Sequence, residues 1–289
     1  MKPAPFDYVA PREIEEALEH LDRGAGDATI LAGGQTLVPL LALRMAMPSV
    51  LIDINRIAAL RGIDCSAAGT VIRPVTRQNH ALANVPLGAA QPALIKALSH
   101  VGHFQTRNRG TIGGSISLGE PAAEMPAAAL ALGASVEARS LRGSRRIPLD
   151  AFYESPYSNA LEPDEMVTAI HYPAQQPGAR ILFREVARRP GDFALVGLVG
   201  SIAVQQGKVT HAGIAWFGMG PTPMKACSAE QALVGQAVAD IEPRAIAELA
   251  VSDTDPFDDH SAPADYRRAV GRRAFAEALR DTLSAGVVA

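Results

Sequence analysis

The stretch "TILAGGQTLVPLLALRM", Thr29 to Met45, joins an apolar, β-branched run to a Leu-rich segment through Ala32-Gly33-Gly34-Gln35-Thr36. The apolar run reads as a strand. The Leu-rich segment reads as a short helix, with Thr36 as its N-cap and Pro39 still in the tolerated first turn. Two glycines and a hydroxyl between such elements mark a backbone that another group approaches closely. Glycine permits that approach, and successive N–H groups make a nest for an anion. A helix opening at the loop adds partial positive charge.

A second loop of the same kind lies downstream. Thr111-Ile112-Gly113-Gly114-Ser115 again sets a glycine pair beside hydroxyls. Either loop alone is compatible with an ordinary tight turn. Two together could clamp a pyrophosphate from both sides. The chain has neither a G-x-G-x-x-G after a strand nor a G-x-x-x-x-G-K-[ST], so the dinucleotide fingerprint and the P-loop are both missing. Shortly after the second loop, Glu124 in "GEPAAEMP" is a carboxylate placed to hold the ribose hydroxyls of a nucleotide. Glu120, directly before Pro121, reads as a cap.

Around these loops the chain alternates element types. "PREIEEALEHLD" carries Ile14, Ala17, Leu18 and Leu21 at helical spacing. "SVLIDIN" is an apolar strand. Residues 1–58 therefore predict a small α/β lobe. Further on, "GIDCSAAGTVIRPVTRQ" reads as two short strands about a turn and "PALIKALSHVGH" as a helix. "AAALALGA" reads as a helix stopped by Gly133, while "SVEARS", "LRGSRRIPL" and "DEMVTAIHYP" read as strands. "AQQPGA" is the best linker. Strands with a Gln-Gly-Lys turn follow it, and then helices.

Composition bounds the function. The 289 residues are 48% hydrophobic and 20% charged, with mean hydropathy +0.08, which is enough for a real core. The net charge of -3 gives no sign of nucleic-acid binding. No apolar run is long enough to span a bilayer, and the N-terminus has no signal-peptide pattern, so a cytoplasmic protein is expected. The lone cysteines, Cys65 and Cys227, suit a reducing compartment and cannot by themselves hold a cluster or zinc; both are expected to be buried. The seven histidines show no metal-ligand spacing. Trp216 is expected in the core, and Arg267, Arg268, Arg272 and Arg273 on a wet helix face.

Taken in order, "AGGQTLVPLLALRM", "RNRGTIGGSISLGEPAAEMPAAALALGASV" and "FREVARRPGDFALVG" resemble the FAD-binding subunits of the molybdenum hydroxylases. That family includes the medium subunit of aerobic carbon monoxide dehydrogenase and the flavin portion of xanthine dehydrogenase. The resemblance covers nearly the whole chain. It implies an α+β fold: a two-lobed FAD-binding domain, with a small α/β lobe (1–58) and a larger antiparallel-sheet lobe (59–175). A C-terminal α+β domain (179–289) of small antiparallel sheet and helices follows. It implies that Ala32, Gly33, Gly34, Gln35, Thr36 and Leu37 wrap the FAD diphosphate. Thr111, Gly114 and Ser115 would contact it from the other loop, and Glu124 would hold the adenosine ribose. Leu161 and Arg184 match positions near FAD, and Phe193 stands where relatives carry a Tyr or Ile by the flavin ring. One departure is that Glu120 replaces an Asp of the family pattern. The implied role is an electron-transfer subunit. An iron–sulfur small subunit would supply electrons, a molybdopterin large subunit would hold the substrate chemistry, and an external acceptor would take the electrons. Two other classes stay open: a self-contained FAD-dependent oxidoreductase and a non-catalytic nucleotide-binding scaffold subunit.

Overall fold

The computed structural model describes residues 2–284. The first lobe comprises β1 (Asp7–Val9), α1 (Ile14–Gly24), β2 (Ala28–Leu31), α2 (Leu37–Ala42) and β3 (Val50–Asp53). Its strands pair in parallel in the order β1-β3-β2. The spacing of α1 turns Ala17, Leu18 and Leu21 inward, where they pack with Ile52, Ile54, Ile57 and Leu60.

Next come β4 (Ile63–Ser66), β5 (Gly69–Ile72) and six helices: α3 (Gln78–Leu82), α4 (Val85–Ala90), α5 (Pro92–Leu98), α6 (Phe104–Arg109), α7 (Ile112–Leu118) and α8 (Glu124–Ala131). The strands β6 (Ser135–Ser140), β7 (Gly143–Pro148), β8 (Tyr153–Ser155), β9 (Ser158–Asn159) and β10 (Met166–Pro173) follow. An antiparallel sheet of order β4-β5-β10-β6-β7 forms the frame of this part. Every residue of α8 is buried, as suits a helix without a polar face. Gly133, at φ +65°, ends the turn that follows it.

After the Gln-Pro-Gly segment come β11 (Ala179–Val186), β12 (Val196–Gln205), β13 (Lys208–Phe217) and β14 (Met224–Lys225), then α9 (Cys227–Leu233), α10 (Pro243–Ser252) and α11 (Ala264–Ser284). The strands form an antiparallel sheet in chain order. Gln206 and Gly207, both at positive φ, make the two-residue hairpin that suits strand twist. Alternation along the strands sends Val199, Ala215 and Phe217 into the core around α5 and α8. Leu198, Ile214 and Trp216 go to the opposite face, against Phe275 and Leu279 of α11. Trp216 is fully buried and donates its indole N–H to the Ala250 carbonyl at 3.0 Å.

Three sequence-based expectations are corrected. Cys65 and Cys227 are exposed, because the first lies on the polar β4 edge and the second opens α9. Thr36 does not cap α2 with its side chain, since its backbone is already in the right-handed helical region. Arg267 is buried and donates to the carbonyls of Leu195 and Gly218 and to Asp259, whereas Arg268, Arg272 and Arg273 do lie on a wet face in ion pairs. No helix among the described residues is long and apolar enough to cross a membrane.

Candidate functional site

The two glycine loops meet. The first leaves β2 and enters α2, and the second leaves α6 and enters α7. A Cβ placed on Gly33 would lie 2.7 Å from the Arg109 carbonyl oxygen and 2.9 Å from the Gly110 Cα. The absent side chain therefore lets one loop backbone rest on the other. Between and beyond the loops opens a cleft of about 630 Å³, within the usual range for a ligand site.

The loops offer the cleft different chemistry. The backbone N–H groups of Gly34, Gln35, Thr36 and Leu37 find no acceptor among the described residues. Gly34 holds φ +71°. Such a run of free donors bordering a cleft is an anion cradle. The six residues of α2 add only a short dipole. In the second loop the donors are already engaged: Ile112 N–H to Thr76, Gly113 N–H to Pro74, Gly114 N–H to the Thr111 hydroxyl at 3.1 Å, and Ser115 N–H to Thr111. Thr111 is thus the cap of α7, and this loop presents Cα surface and hydroxyls rather than a second nest.

A polar brace holds the loops in register. Asn55 Nδ2 donates to the Ala32 carbonyl at 2.7 Å in the first loop. Arg77 donates to Asn55 Oδ1 at 2.6 Å and also to the Arg109 carbonyl in the second. Asp53 anchors Asn55 by accepting its backbone N–H and its side-chain N–H, and Tyr8 donates to the other carboxylate oxygen at 2.6 Å. Those donors hold the Asp53 carboxyl below its usual range against the opposing effect of burial. The sequence reading singled out none of these residues. Their one local signal is the Asp-Ile-Asn run at the end of a strand, a pattern that favours an Asx turn.

Glu124 is the first residue of α8, only 5% exposed, and borders the cleft. Burial pushes its carboxyl up to about 8, with like-charge repulsion from Glu185 adding to the rise and the Arg107 guanidinium opposing it. Burial also raises Glu185, to about 7. Glu120 caps the preceding turn, accepting from the Ala122 N–H and from Tyr157.

Ala32, Gly33, Gly34, Gln35, Thr36, Leu37, Thr111, Gly114, Ser115, Glu124, Leu161 and Phe193 all line this one cleft. Phe193 is 61% exposed and sits on the loop between β11 and β12. Arg184 is not among the lining residues; it lies on β11 and pairs with Asp281 of α11 at 2.7 Å. Gln78, Gly110, Gly191 and Asp192 join the lining. The buried Gln78 Oε1 has no partner among the described residues. A donor cradle for phosphate, a buried carboxyl for a ribose hydroxyl and apolar walls suit a dinucleotide such as FAD.

Comparison with known proteins agrees with this geometry. Residues 4–175 match the model of the FAD binding domain in molybdopterin dehydrogenase, and residues 181–282 match that of the CO dehydrogenase flavoprotein C-terminal domain. The chain is 38% identical to the 6-hydroxypseudooxynicotine dehydrogenase complex subunit alpha of Paenarthrobacter nicotinovorans, over 96% of each chain. It is 34% identical to the carbon monoxide dehydrogenase medium chain of Hydrogenophaga pseudoflava, over 96% of this chain and 97% of that one. A solved carbon monoxide dehydrogenase structure from H. pseudoflava superposes with a TM-score of 0.95 at 35% identity, covering 98% of this chain and 99% of its counterpart. The cleft lies within a shared architecture, and the chain belongs to the family of FAD-binding flavoprotein subunits of the molybdopterin dehydrogenases.

Proposed function

We propose that this chain is the medium, electron-transferring subunit of a cytoplasmic molybdenum hydroxylase. An iron–sulfur small subunit and a molybdopterin large subunit are its partners, and an external acceptor takes the electrons. The observation that carries the reading is the run of N–H groups from Gly34 to Leu37, without an acceptor among the described residues, on residues that line the cleft. When bound, FAD would supply the redox chemistry of an electron carrier between the iron–sulfur partner and the acceptor.

This chain's own residues bind and orient. Gly34 to Leu37 hold the diphosphate through backbone donors, with Ala32 and Gly33 forming the wall behind it. Thr111, Gly114 and Ser115 close the other side with a small, hydroxyl-bearing surface. Glu124 holds a ribose hydroxyl, Leu161 lines the apolar wall and Phe193 covers the ring end. Arg184, which pairs with Asp281, lies outside the residues that line the cleft. No side chain need act as acid or base. Residues 1–58, 59–175 and 179–289 serve as the two binding lobes and the C-terminal domain.

The test is a visible spectrum of the purified protein, with chromatography of the cofactor released by acid. FAD in near-equal amount, without iron or molybdenum on this chain, is expected. A folded chain that carries no flavin even after reconstitution with FAD and partner subunits would remove the assignment.

A further inference from the structure

The segment after the first glycine loop is built like a piece of interior but lies outside. Helix α2 reads Leu-Val-Pro-Leu-Leu-Ala, apolar on every side, and of its six residues only Leu41 is buried. A helix of that composition ordinarily lies in a core. Val38, Leu43, Met45 and Met47 are all exposed, Met45 at 74% and Met47 at 65%. From Gln35 to Pro48 there is no acidic side chain and no lysine.

Beside this apolar ridge stands a group of cations. Arg61 and Arg77 both donate to Asn55, Arg77 reaches the Arg109 carbonyl, and Arg56 acts on Asp53. None of Arg56, Arg61, Arg77 and Arg109 forms an ion pair among the described residues. The crowding of Arg109 and Arg61 adds to burial in lowering the Arg77 pKa. Asp53 is the near carboxylate; it accepts from Tyr8 and Asn55, and its charge offsets part of that of Arg56 and Arg77. A shallow pocket of about 300 Å³ joins the two features, with Val38 and Pro39 on one side and Asp53, Asn55 and Arg109 on the other. Ala32 to Gln35 line it as well, and the same four residues also line the cofactor cleft.

We infer that this ridge and its arginines are the docking surface for the iron–sulfur subunit, which meets them with an apolar centre rimmed by carboxylates. The inference rests on the proposed function above. Methionine and arginine are enriched at protein interfaces while lysine and the acidic residues are depleted, which is the composition of this patch. Three exposed guanidinium groups, those of Arg56, Arg61 and Arg109, form no ion pair among the described residues and call for an acidic partner face. A second copy of this chain fits poorly, because a two-fold pairing would set the same cations against themselves. The location selects among the subunits. A protein seated here rests on residues that also line the cofactor cleft, and the subunit that must come that close is the one delivering electrons.

The experiment uses the chain co-expressed with its complex partners, with Met45→Asp and Arg109→Glu as test variants and Arg273→Glu on α11 as a control. Association with the iron–sulfur subunit, identified by its iron and by mass spectrometry, is measured by analytical ultracentrifugation at low and high salt. Thermal unfolding of each free chain verifies folding. Weakening of about tenfold or more in each test variant is expected, with unchanged association in the control, and the Arg109 variant should lose part of the salt dependence. Test variants that fold and associate as tightly as the unaltered chain would overturn the docking surface and leave the proposed function standing. An unaltered chain that assembles with no iron–sulfur protein would overturn the proposed function, and the docking surface with it.

Discussion

Gly33 has its role through residues far along the chain. Its missing Cβ is the space occupied by the Arg109 carbonyl and Gly110. Gly33→Val should separate the loops, destabilise the protein by about 1–3 kcal/mol and eliminate flavin retention. Thermal unfolding and the flavin-to-protein absorbance ratio check this, and full flavin occupancy would exclude the diphosphate assignment. Glu124 gives a pH signature. Its folded-state value, about 8, lies above the ordinary carboxylate value of 4.5. The native state therefore binds more protons than the unfolded state between those values, and stability falls as pH rises through that window. The slope from this group is at most about 1.4 kcal/mol per pH unit, and Glu185 adds to it up to about 7. Glu124→Gln should flatten the decline in cofactor-free protein, so that the variant is the more stable of the two above pH 8 in denaturant melts. The same variant should bind FAD more weakly, if the carboxyl holds a ribose hydroxyl.

At the scale of elements, the brace from Tyr8 through Asp53 and Asn55 to Arg77 joins β1, the end of β3 and the segment entering α3 to both glycine loops. Asn55→Ala leaves the Ala32 carbonyl and one Arg77 donor unmatched, at a cost of about 1–3 kcal/mol. Flavin should be released faster from this variant, as followed by recovery of free-flavin fluorescence. Arg77→Lys keeps the charge but cannot reach two acceptors in a fixed fork, and it should behave like the Asn55 variant rather than like the unaltered chain. The two glycine loops resemble each other in sequence and differ in chemistry because of what each is packed against. The second lies on Pro74 and Thr76, which accept two of its N–H groups, and the first has no such neighbour among the described residues.

Across the whole molecule, the linker between β10 and β11 separates two sheets but not two cores. Val199, Ala215 and Phe217 of the C-terminal sheet pack in the same cluster as Met125, Ala128 and Val136. Gly213 lies against the Ala131 carbonyl so closely that a Cβ there would sit 2.3 Å from it. A chain cut after residue 175 would expose one side of the wholly apolar α8, and it should aggregate or elute as a loosened species. Size-exclusion chromatography with a fluorescent apolar probe distinguishes this from an independent FAD-binding domain, which would elute as a compact monomer.

Features that depend on near neighbours in the chain were legible in the residues alone: the apolar spacing of α1, the positive-φ turn at Gly207, the linker, and two glycine loops with a following carboxylate. The resemblance carried by three motifs in order supplied the family and its cofactor, and twelve of the thirteen nominated residues line one cleft. Other features depended on folding, because burial and hydrogen-bond satisfaction are set by groups distant in sequence. Cys65 and Cys227 lie outside and Arg267 inside for that reason. Arg184 turns to Asp281, Asn55 and Arg77 become the brace, and of the two loops the first alone keeps its donors free among the described residues. A glycine loop states that the backbone can be approached; the three-dimensional packing decides whether its N–H groups remain available to whatever approaches.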